Sequence, residues 1–410
     1  MLLAVGLVAT MESLAVVGII FGLLFVFIQN WLVTQRTPTA EKTEDIEPSE
    51  EALSRRTLLK RGAVLAGISL VGLGLLHFIT NGVTTPYVPA SRFLQNFKNK
   101  IVPPPTPNYG TVHPAPFLSP EVTSNDQYYV VSKNLSGDPN VAAATWNLKV
   151  DGEVDHPFTL SYNQLMALPR KQQYESMMCV SNEVGGPYMS NAHWEGVPLM
   201  DLLNRAGVKP GATKVVFYAA DDYSDSIHLS KALEPTTLLA VRMNEMILPQ
   251  AHGFPARMLV PGIYGMKHCK WITRIQVVNY DYQGFWQQRG WSDSAPVRLT
   301  SRIDTPLDGS KAIANRVTYI AGVAFSGNKG ISEVDVSVDS GQTWQIATLK
   351  RPLSNLTWAI WELPWQPTTP GNYYITVRAI DMEGNVQYPN EQPPLPNGSS
   401  GYHTISVLVS

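Results

Sequence analysis

The chain has 410 residues, and its 31 Lys and Arg against 33 Asp and Glu give a formal net charge of −2 at pH 7. This length exceeds one ordinary domain, so we expect two folded units with additional segments. The near-neutral charge, without a Lys/Arg-rich patch among aromatic residues, argues against a nucleic-acid-binding protein. The two cysteines, Cys179 and Cys269, do not form a disulfide framework.

The first segment, residues 1–33, is apolar and has Glu12 as its single charged residue. Because about 20 consecutive apolar residues span a bilayer, the segment predicts a transmembrane helix. The alternative is a long signal-peptide core, but the basic residues expected before such a core are missing.

Residues 34–61 are polar and predict a flexible cytoplasmic linker. Its last part, Ser54-Arg55-Arg56-Thr57-Leu58-Leu59-Lys60, is similar to a twin-arginine export signal. Alternatively, these basic residues simply obey the positive-inside rule. Residues 62–82 are apolar and predict a second transmembrane helix or signal anchor, which we expect to be retained rather than cleaved near Val88-Pro89-Ala90. Both interpretations place the chain after about residue 83 outside the cytoplasm.

The remaining chain divides into three parts. Residues 83–124 are Pro-rich and predict a semi-rigid spacer. Residues 125–295 mix short strands with short helices, one of them capped and running from Ser161 to Leu168, so we expect an α+β catalytic domain. Residues 296–410 show evenly spaced strands and predict an all-β immunoglobulin-like sandwich. We expect four tryptophans to fill the core of this sandwich, and no chemistry of its own there: Trp344, Trp358, Trp361 and Trp365.

Cys179 is the residue with the clearest chemical signal. Taken alone, a single cysteine is more often an inert buried thiol. Here Ser181 and Asn182 follow it, and a patch with Gly, Pro and His around Arg257 and Lys270 lies downstream. A thiolate is a soft ligand for a metal such as molybdenum, and cationic side chains bind a buried phosphate. The pattern therefore indicates a site for an anionic metal cofactor.

Five segments occur in the order found in one known family. They are Cys179-Val180-Ser181-Asn182, Trp194-Glu195-Gly196-Val197-Pro198-Leu199, His252-Gly253-Phe254-Pro255-Ala256-Arg257, Tyr264-Gly265 with Lys270-Trp271, and Gly284-Phe285-Trp286 with Gly290-Trp291. Together the chain from about residue 125 resembles the sulfite oxidase family of molybdopterin enzymes. The resemblance also covers the C-terminal part, which is similar to the Mo-co oxidoreductase dimerisation domain and implies a possible homodimer.

The resemblance implies a molybdenum–molybdopterin cofactor with Cys179 as the ligand of the metal. It implies Tyr282 as a catalytic tyrosine, with an ordinary surface tyrosine as the alternative. It also implies that nine residues contact the pterin and its phosphate: Ser132, Lys133, Asn134, Asp221, His252, Arg257, His268, Cys269 and Lys270. Asp222 is the alternative to Asp221. We expect His252 to offer a ring N–H, and Cys269 to contribute mainly its backbone.

Two departures from the family matter for function. Glu183 and Val184 stand where sulfite oxidases carry two arginines, which removes positive charge at the place of an oxyanion. There is no Cys-x-x-Cys-His haem site, so a separate cytochrome or membrane carrier must exchange the electrons.

We therefore expect a bacterial, membrane-anchored, extracytoplasmic oxidoreductase that transfers oxygen atoms to a small sulfur compound. One alternative is a reductase of S-oxides or N-oxides, including methionine sulfoxide in proteins. The other is a non-catalytic subunit of a respiratory or photosynthetic membrane complex.

Overall fold

A computed structural model describes residues 108–410 of the chain. The two expected transmembrane segments, the polar linker with its arginine pair and most of the Pro-rich spacer lie outside the described residues. Within residues 108–410, no helix is both long enough and apolar enough to span a membrane. The described part is built mainly of strands, with three short α-helices.

The first sheet of the catalytic part has the strand order β2-β1-β10-β5-β6. β1 and β10 run parallel, and the other neighbours are antiparallel. The alternating buried residues of the strands face the largest hydrophobic core. Its strands are β1 (Asn147–Gly152), β2 (Phe158–Ser161), β5 (Lys214–Ala219), β6 (Ser224–His228) and β10 (Ile272–Val278).

The second sheet has the order β3-β4-β7-β8, with β9 paired to β7. β3 and β4 are antiparallel over their full length, from the Lys171–Gly196 pair to the Met178–Met189 pair. Cys179 follows directly after β3 and therefore lies in the connection to β4. The strands are β3 (Lys171–Met178), β4 (Met189–Pro198), β7 (Leu238–Met243), β8 (Met246–Ile247) and β9 (Arg257–Leu259).

The predicted capped helix is confirmed as α1 (Tyr162–Met166). The Ser161 side chain accepts the Gln164 N–H, and the Gln164 side chain accepts the Ser161 N–H, which satisfies two free donors of the first turn. α2 (Leu199–Ala206) ends at Gly207, whose φ of 68° is the left-handed conformation that glycine adopts readily. α3 (Leu229–Ala232) is one turn long. Three 3₁₀ turns complete the catalytic part: Gln250–His252, Gly265–Lys267 and Gln287–Arg289.

The C-terminal part is a sandwich of two sheets, with strand orders β11-β13-β17-β16 and β12-β19-β18-β14-β15. We call it the sandwich domain. Its strands are β11 (Thr300–Thr305), β12 (Ser310–Ala312), β13 (Thr318–Phe325), β14 (Ile331–Ser337), β15 (Gln345–Ile346), β16 (Thr348–Leu349), β17 (Ala359–Trp365), β18 (Gly371–Asp381) and β19 (His403–Val409).

Only two of the four tryptophans expected in the sandwich core are there. Trp361 and Trp365 pack in it, as predicted. Trp358 instead belongs to a core cluster that also holds Met178 and Val180 of the catalytic part, because it precedes β17 on the side of the catalytic part. Trp344 is partly exposed. The guanidinium carbon of Arg378 lies over it, 4.2 Å from the centre of its ring.

The sandwich domain covers the free edge of β3, which is otherwise an outer strand. The Ser176 N–H donates to the Leu356 carbonyl at 2.9 Å, and the Trp358 N–H donates to the Ser176 hydroxyl at 2.9 Å. Nearer the start of the strand, the Ser354 hydroxyl donates to the Tyr174 carbonyl at 2.9 Å. The strand that leads to Cys179 is thus held on both sides.

Residues 108–124 do not stand away from the protein as an extended spacer would. Val112 and Leu118 are buried in the cluster between the catalytic part and the sandwich domain. The His113 main-chain N–H donates to a Glu362 carboxylate oxygen at 2.7 Å, and that of Ser119 donates to Asp304 at 2.9 Å. The apolar side chains among the prolines are what allow this segment to pack.

Candidate active site

A cavity of about 200 Å³ opens between the two sheets of the catalytic part. It is lined from the segment before β1, from the connection after β3, from the β5–β6 loop and from residues 251–271. The structure thereby brings together most of the residues predicted from sequence. The predicted residues that line it are Ser132, Lys133, Cys179, Asp221, His252, Arg257, His268, Cys269 and Lys270.

Two predicted residues do not line the cavity. Asn134 lies behind it and donates to the Asp221 carboxylate at 3.0 Å, so it supports a lining residue. The Tyr282 hydroxyl donates to the Ser224 hydroxyl at 2.8 Å, and its ring packs edge-on against Tyr218. The structure therefore does not place Tyr282 beside Cys179, because its hydroxyl is held at β6, and its catalytic role stays a prediction.

Cys179 is fixed by its backbone. Its N–H donates to the Tyr188 carbonyl at 2.9 Å, and its own carbonyl accepts the Asn182 N–H at 3.1 Å. The Cys179 sulfur lies 3.1 Å from the Ser181 hydroxyl, and the side chain lines the cavity. A thiol held in this way at a cavity wall is free to act as a ligand of a metal.

Arg257 is a buried cation, and among residues 108–410 no carboxylate lies at hydrogen-bond distance from it. Its guanidinium donates to the His252 carbonyl at 3.1 Å, to the His268 carbonyl at 3.4 Å and to the Met177 sulfur at 3.2 Å. Its Nε atom is buried and has no partner within residues 108–410. Burial lowers the pKa of Arg257. A buried cation with a spare donor favours an anionic ligand.

The two lysines of the cavity wall point to the same chemistry. Burial, and after it the charge of Arg257, lowers the pKa of Lys270 to about 8. Lys270 donates to the Ala251 carbonyl at 3.1 Å and lies 3.9 Å from the Asp138 carboxylate. Lys133 donates to the Asp221 carbonyl at 2.7 Å. Since a bound phosphate would relieve the cost of these buried charges, the residues present fit the anionic tail of molybdopterin.

Both histidines of the site are neutral at pH 7. Burial lowers the pKa of His252 to about 4 and that of His268 to about 3. His252 Nε2 lies 2.8 Å from the Asn125 carbonyl, so its proton is on Nε2 and is already donated. In this neutral form the Nδ1 atom of His252 can only accept, and the expected contact of His252 with the cofactor stays a prediction. His268 donates from Nε2 to the Ile263 carbonyl at 3.2 Å.

Cys269 is buried, and burial raises the pKa of its thiol well above the usual range. Its sulfur lies 3.7 Å from the Lys270 carbonyl, and its own carbonyl accepts the Met258 N–H at 2.9 Å. The thiol stays protonated, which makes Cys269 a poor ligand for a metal although it lines the cavity.

Sequence analysis gave several lining residues no role at the site, including the two tryptophans of the Gly284–Trp291 segment, because apolar and aromatic side chains carry no distinct chemical signal. Val130 and Val131 line the rim, and Tyr129, Trp286 and Trp291 line the wall. Trp286 and Trp291 also pack on the cluster that contains Val180, the neighbour of Cys179. The wall on this side of the cavity is thus aromatic and aliphatic: Tyr129, Val130, Val131, Trp286 and Trp291.

Glu175 was also missed. It is 1% exposed, and its Oε1 atom has no hydrogen-bond partner within the described residues. The same atom lies 3.8 Å from Nδ1 of His268. Burial raises the pKa of Glu175 to about 8, so its carboxyl is mostly protonated at pH 7.

Comparisons with known proteins agree with this chemistry. Residues 136–286 match the oxidoreductase molybdopterin binding domain, and residues 296–393 match the Mo-co oxidoreductase dimerisation domain. Mitochondrial sulfite oxidase of Homo sapiens is 32% identical over 352 residues, which cover 72% of this chain and 64% of the human protein. The chain thus spans somewhat less than two thirds of this relative.

Two further proteins are similar. The uncharacterized oxidoreductase YuiH of Bacillus subtilis is 36% identical over 146 residues, which cover 36% of this chain and 72% of YuiH. The fold matches the crystal structure of the sulfane dehydrogenase SoxCD from Paracoccus pantotrophus with a TM-score of 0.61 and 21% identity, over 79% of this chain and 91% of that chain. The chain belongs to the sulfite oxidase family of molybdopterin oxidoreductases, and its cofactor is molybdenum bound to molybdopterin.

Proposed function

We propose that this protein catalyses oxygen-atom transfer between water and a small sulfur compound at a molybdenum ion ligated by Cys179. The observation that carries the proposal is the position of Cys179 in one cavity with Lys133, Arg257 and Lys270. A thiol for the metal and three cations for the phosphate tail are the two halves of a molybdopterin site. The same observation argues against a non-catalytic membrane-complex subunit, which has no need to keep both halves.

When bound, the cofactor supplies oxygen-atom transfer coupled to electron exchange. The chain's own residues have simpler tasks. Arg257 and Lys270 hold the anionic tail, and Lys133 adds a third positive charge. Gly253, with a φ of 110°, has no Cβ, and one there would lie 3.0 Å from the Lys270 side chain and 3.1 Å from that of Arg257. This glycine therefore lets the chain segments that carry Arg257 and Lys270 pack closely together.

The rim of the cavity indicates a substrate of low charge. Val130 and Val131 line the rim, Trp286 and Trp291 line the wall beside it, and none of these four side chains offers a cation. The connection after Cys179 carries Glu183 and Val184, which add no positive charge either. An oxyanion such as sulfite gains little here, whereas an uncharged sulfur compound loses little solvation. This favours the second candidate, reduction of an S-oxide or N-oxide, including methionine sulfoxide in proteins.

The remaining parts of the proposal rest on the sequence. The apolar segments 1–33 and 62–82 and the arginine pair Arg55-Arg56 support a membrane-anchored protein with its catalytic domain on the extracytoplasmic side. Electron exchange with a separate cytochrome or membrane carrier is part of the proposal, since the given sequence shows no Cys-x-x-Cys-His motif. The match of residues 296–393 to a dimerisation domain supports a homodimer.

Metal analysis of the full-length protein, purified in detergent from a host that makes the cofactor, tests the core of the proposal. We expect close to one molybdenum per chain. Turnover is then measured with sulfite, an uncharged thioether and an uncharged sulfoxide, using artificial electron acceptors and donors. Faster reaction of the sulfoxide than of either reduced compound supports the reductase. A protein without molybdenum from a competent host contradicts both candidates.

A further inference from the structure

The connection that carries Cys179 is a short turn, residues 179–186, which we call the cysteine turn. Inside it, the Asn182 N–H donates to the Cys179 carbonyl at 3.1 Å, and the Gly186 N–H donates to the Glu183 carbonyl at 2.9 Å. The Asn182 side chain accepts the Tyr188 N–H at 2.7 Å, which ties the turn to the start of β4. These bonds set the shape of the turn, and other contacts must set its position.

Those other contacts come from the sandwich domain. The Ser399 hydroxyl donates to the Asn182 carbonyl at 2.7 Å, and the Arg302 guanidinium donates to the Gly186 carbonyl at 2.8 Å. Between these two anchors, a Cβ at Gly185 would overlap the His403 ring, so the ring and the turn are in direct contact. Three side chains from two segments of the sandwich domain therefore meet one turn of the catalytic part: Arg302 on β11, and Ser399 with His403 around the start of β19.

The anchors are themselves held in place. Arg302 donates to the Asp304 carboxylate at 2.6 Å and to the Ser119 hydroxyl at 2.8 Å. The His403 ring accepts the Ile303 N–H on Nδ1 at 3.0 Å. Because Arg302 and His403 have fixed partners of their own, they hold the turn at a defined place rather than adapting to it.

We infer that Ser399 and Arg302 are positioning residues for the Cys179 thiol, so that the sandwich domain helps to set the geometry of the molybdenum ligand. Only two hydrogen bonds separate Ser399 from Cys179, through the carbonyl and the N–H of Asn182. Partners that hold a ligand in place control metal sites nearly as strongly as the ligands do. The inference rests on the proposed role of Cys179 as the metal ligand.

The test begins with Ser399→Ala in the full-length, molybdenum-loaded protein. Loss of one hydrogen bond increases local opening of the turn, so amide hydrogen exchange in a peptide covering residues 179–188 should become about fivefold faster. Ser399→Thr keeps the hydroxyl and should restore slow exchange. Ser332→Ala is the matched control, because the Ser332 hydroxyl also donates to main-chain carbonyls, at 2.8 Å to Asp381, but within the sandwich domain.

The second measurement is the Mo(V) electron paramagnetic resonance spectrum, which responds to the orientation of the thiolate. We expect a shifted or broadened signal in Ser399→Ala and the wild-type signal in Ser332→Ala and Ser399→Thr. Arg302→Lys, which loses the planar fork, provides a second variant if Ser399→Ala does not fold, and it should show the same two changes.

Unchanged exchange and an unchanged spectrum in the folded variants would overturn the inference. If exchange quickens equally in distant peptides of the sandwich domain, the contacts only stabilise the fold, which also overturns it. A wild-type protein without molybdenum would contradict the proposed function alone, since the exchange comparison can still be made on that protein.

Discussion

The Glu175 carboxyl lies 3.8 Å from the His268 imidazole, measured from Oε1 to Nδ1, and both side chains are 1% exposed. His268 Nδ1 accepts the Val260 N–H at 3.4 Å and carries no proton, because Nε2 donates to the Ile263 carbonyl. An ionised Glu175 carboxylate would place a second acceptor opposite the lone pair of His268 Nδ1, which is unfavourable. A protonated Glu175 carboxyl avoids this repulsion. Geometry and burial thus favour the same neutral form of Glu175.

The first prediction concerns stability against pH. Burial raises the pKa of Glu175 from 4.5 to about 8, so the folded protein binds more protons than the unfolded chain between these values. This contribution to stability is present below pH 4.5 and is lost as the pH rises through about 8. Glu175→Gln keeps the neutral form at every pH, so at pH 8.5 it should unfold at a higher temperature than wild type. The corresponding gain in the free energy of unfolding is at most about 5 kcal/mol.

Thermal unfolding of the cofactor-free protein between pH 5 and pH 8.5 measures this effect. The difference between wild type and Glu175→Gln should be small at pH 5 and should widen towards pH 8.5. Equal slopes for the two proteins would show that Glu175 is already ionised in the folded state.

The second prediction separates the two cysteines of the cavity. Cys179→Ser replaces a soft ligand by a hard one, so it should change the Mo(V) resonance spectrum and lower turnover by more than about 100-fold. Cys269→Ser replaces a thiol that stays protonated, and it should leave the spectrum unchanged. If Cys269→Ser alters the spectrum as strongly, the assignment of the metal ligand is wrong.

The third prediction concerns the buried arginine. Arg257→Lys keeps a positive charge but removes the planar fork and its free Nε–H, so cofactor content should fall by about 10-fold or more. Arg274→Lys is the matched control. Arg274 lies on β10, forms an ion pair with Asp151 at 2.8 Å and does not line the cavity. Metal analysis and fluorescence of the extracted pterin compare the two proteins. Equal loss of cofactor in the control would point to a general effect on folding.

The fourth prediction tests why sulfite is not the favoured substrate. Val131 lines the cavity and is 40% exposed, so an arginine there can keep its charge in water. Val131→Arg should raise kcat/KM for sulfite by about tenfold, because one charge-assisted hydrogen bond to the bound anion contributes about this factor. Leu135→Arg makes the same change of net charge at a fully exposed position outside the cavity, and it should have a much smaller effect. Steady-state kinetics at constant ionic strength decide between them.

Residues with distinct chemistry were the ones that the sequence could identify. Cys179, Arg257 and Lys270 occur in motifs whose spacing reflects the turns around a cofactor, and the structure brings them into one cavity. The capped helix at Ser161 was predictable for a similar reason, since a capping box is a local pattern. Local patterns survive folding because their partners are only a few residues away.

Other features depend on which distant segments meet. The protonation of His252 follows from the Asn125 carbonyl, 127 residues away, and no spacing rule foretells that contact. Ser399 reaches Asn182 across 217 residues, and in the sequence it is an ordinary loop serine. Val131 resembles a core residue in a pattern, and only the three-dimensional arrangement shows that it lines the cavity.

The cover on β3 also has a consequence for how the chain reaches its native state. On the open side of the strand, the Ser176 main-chain N–H donates to the carbonyl of Leu356 at 2.9 Å, and these two residues are far apart in the chain. During synthesis, β3 therefore presents unpaired main-chain groups until residues 354–358 have left the ribosome. An open strand of this kind is a template for pairing with other chains. A protein truncated before residue 354 should therefore aggregate, although it would contain every residue of the cofactor cavity.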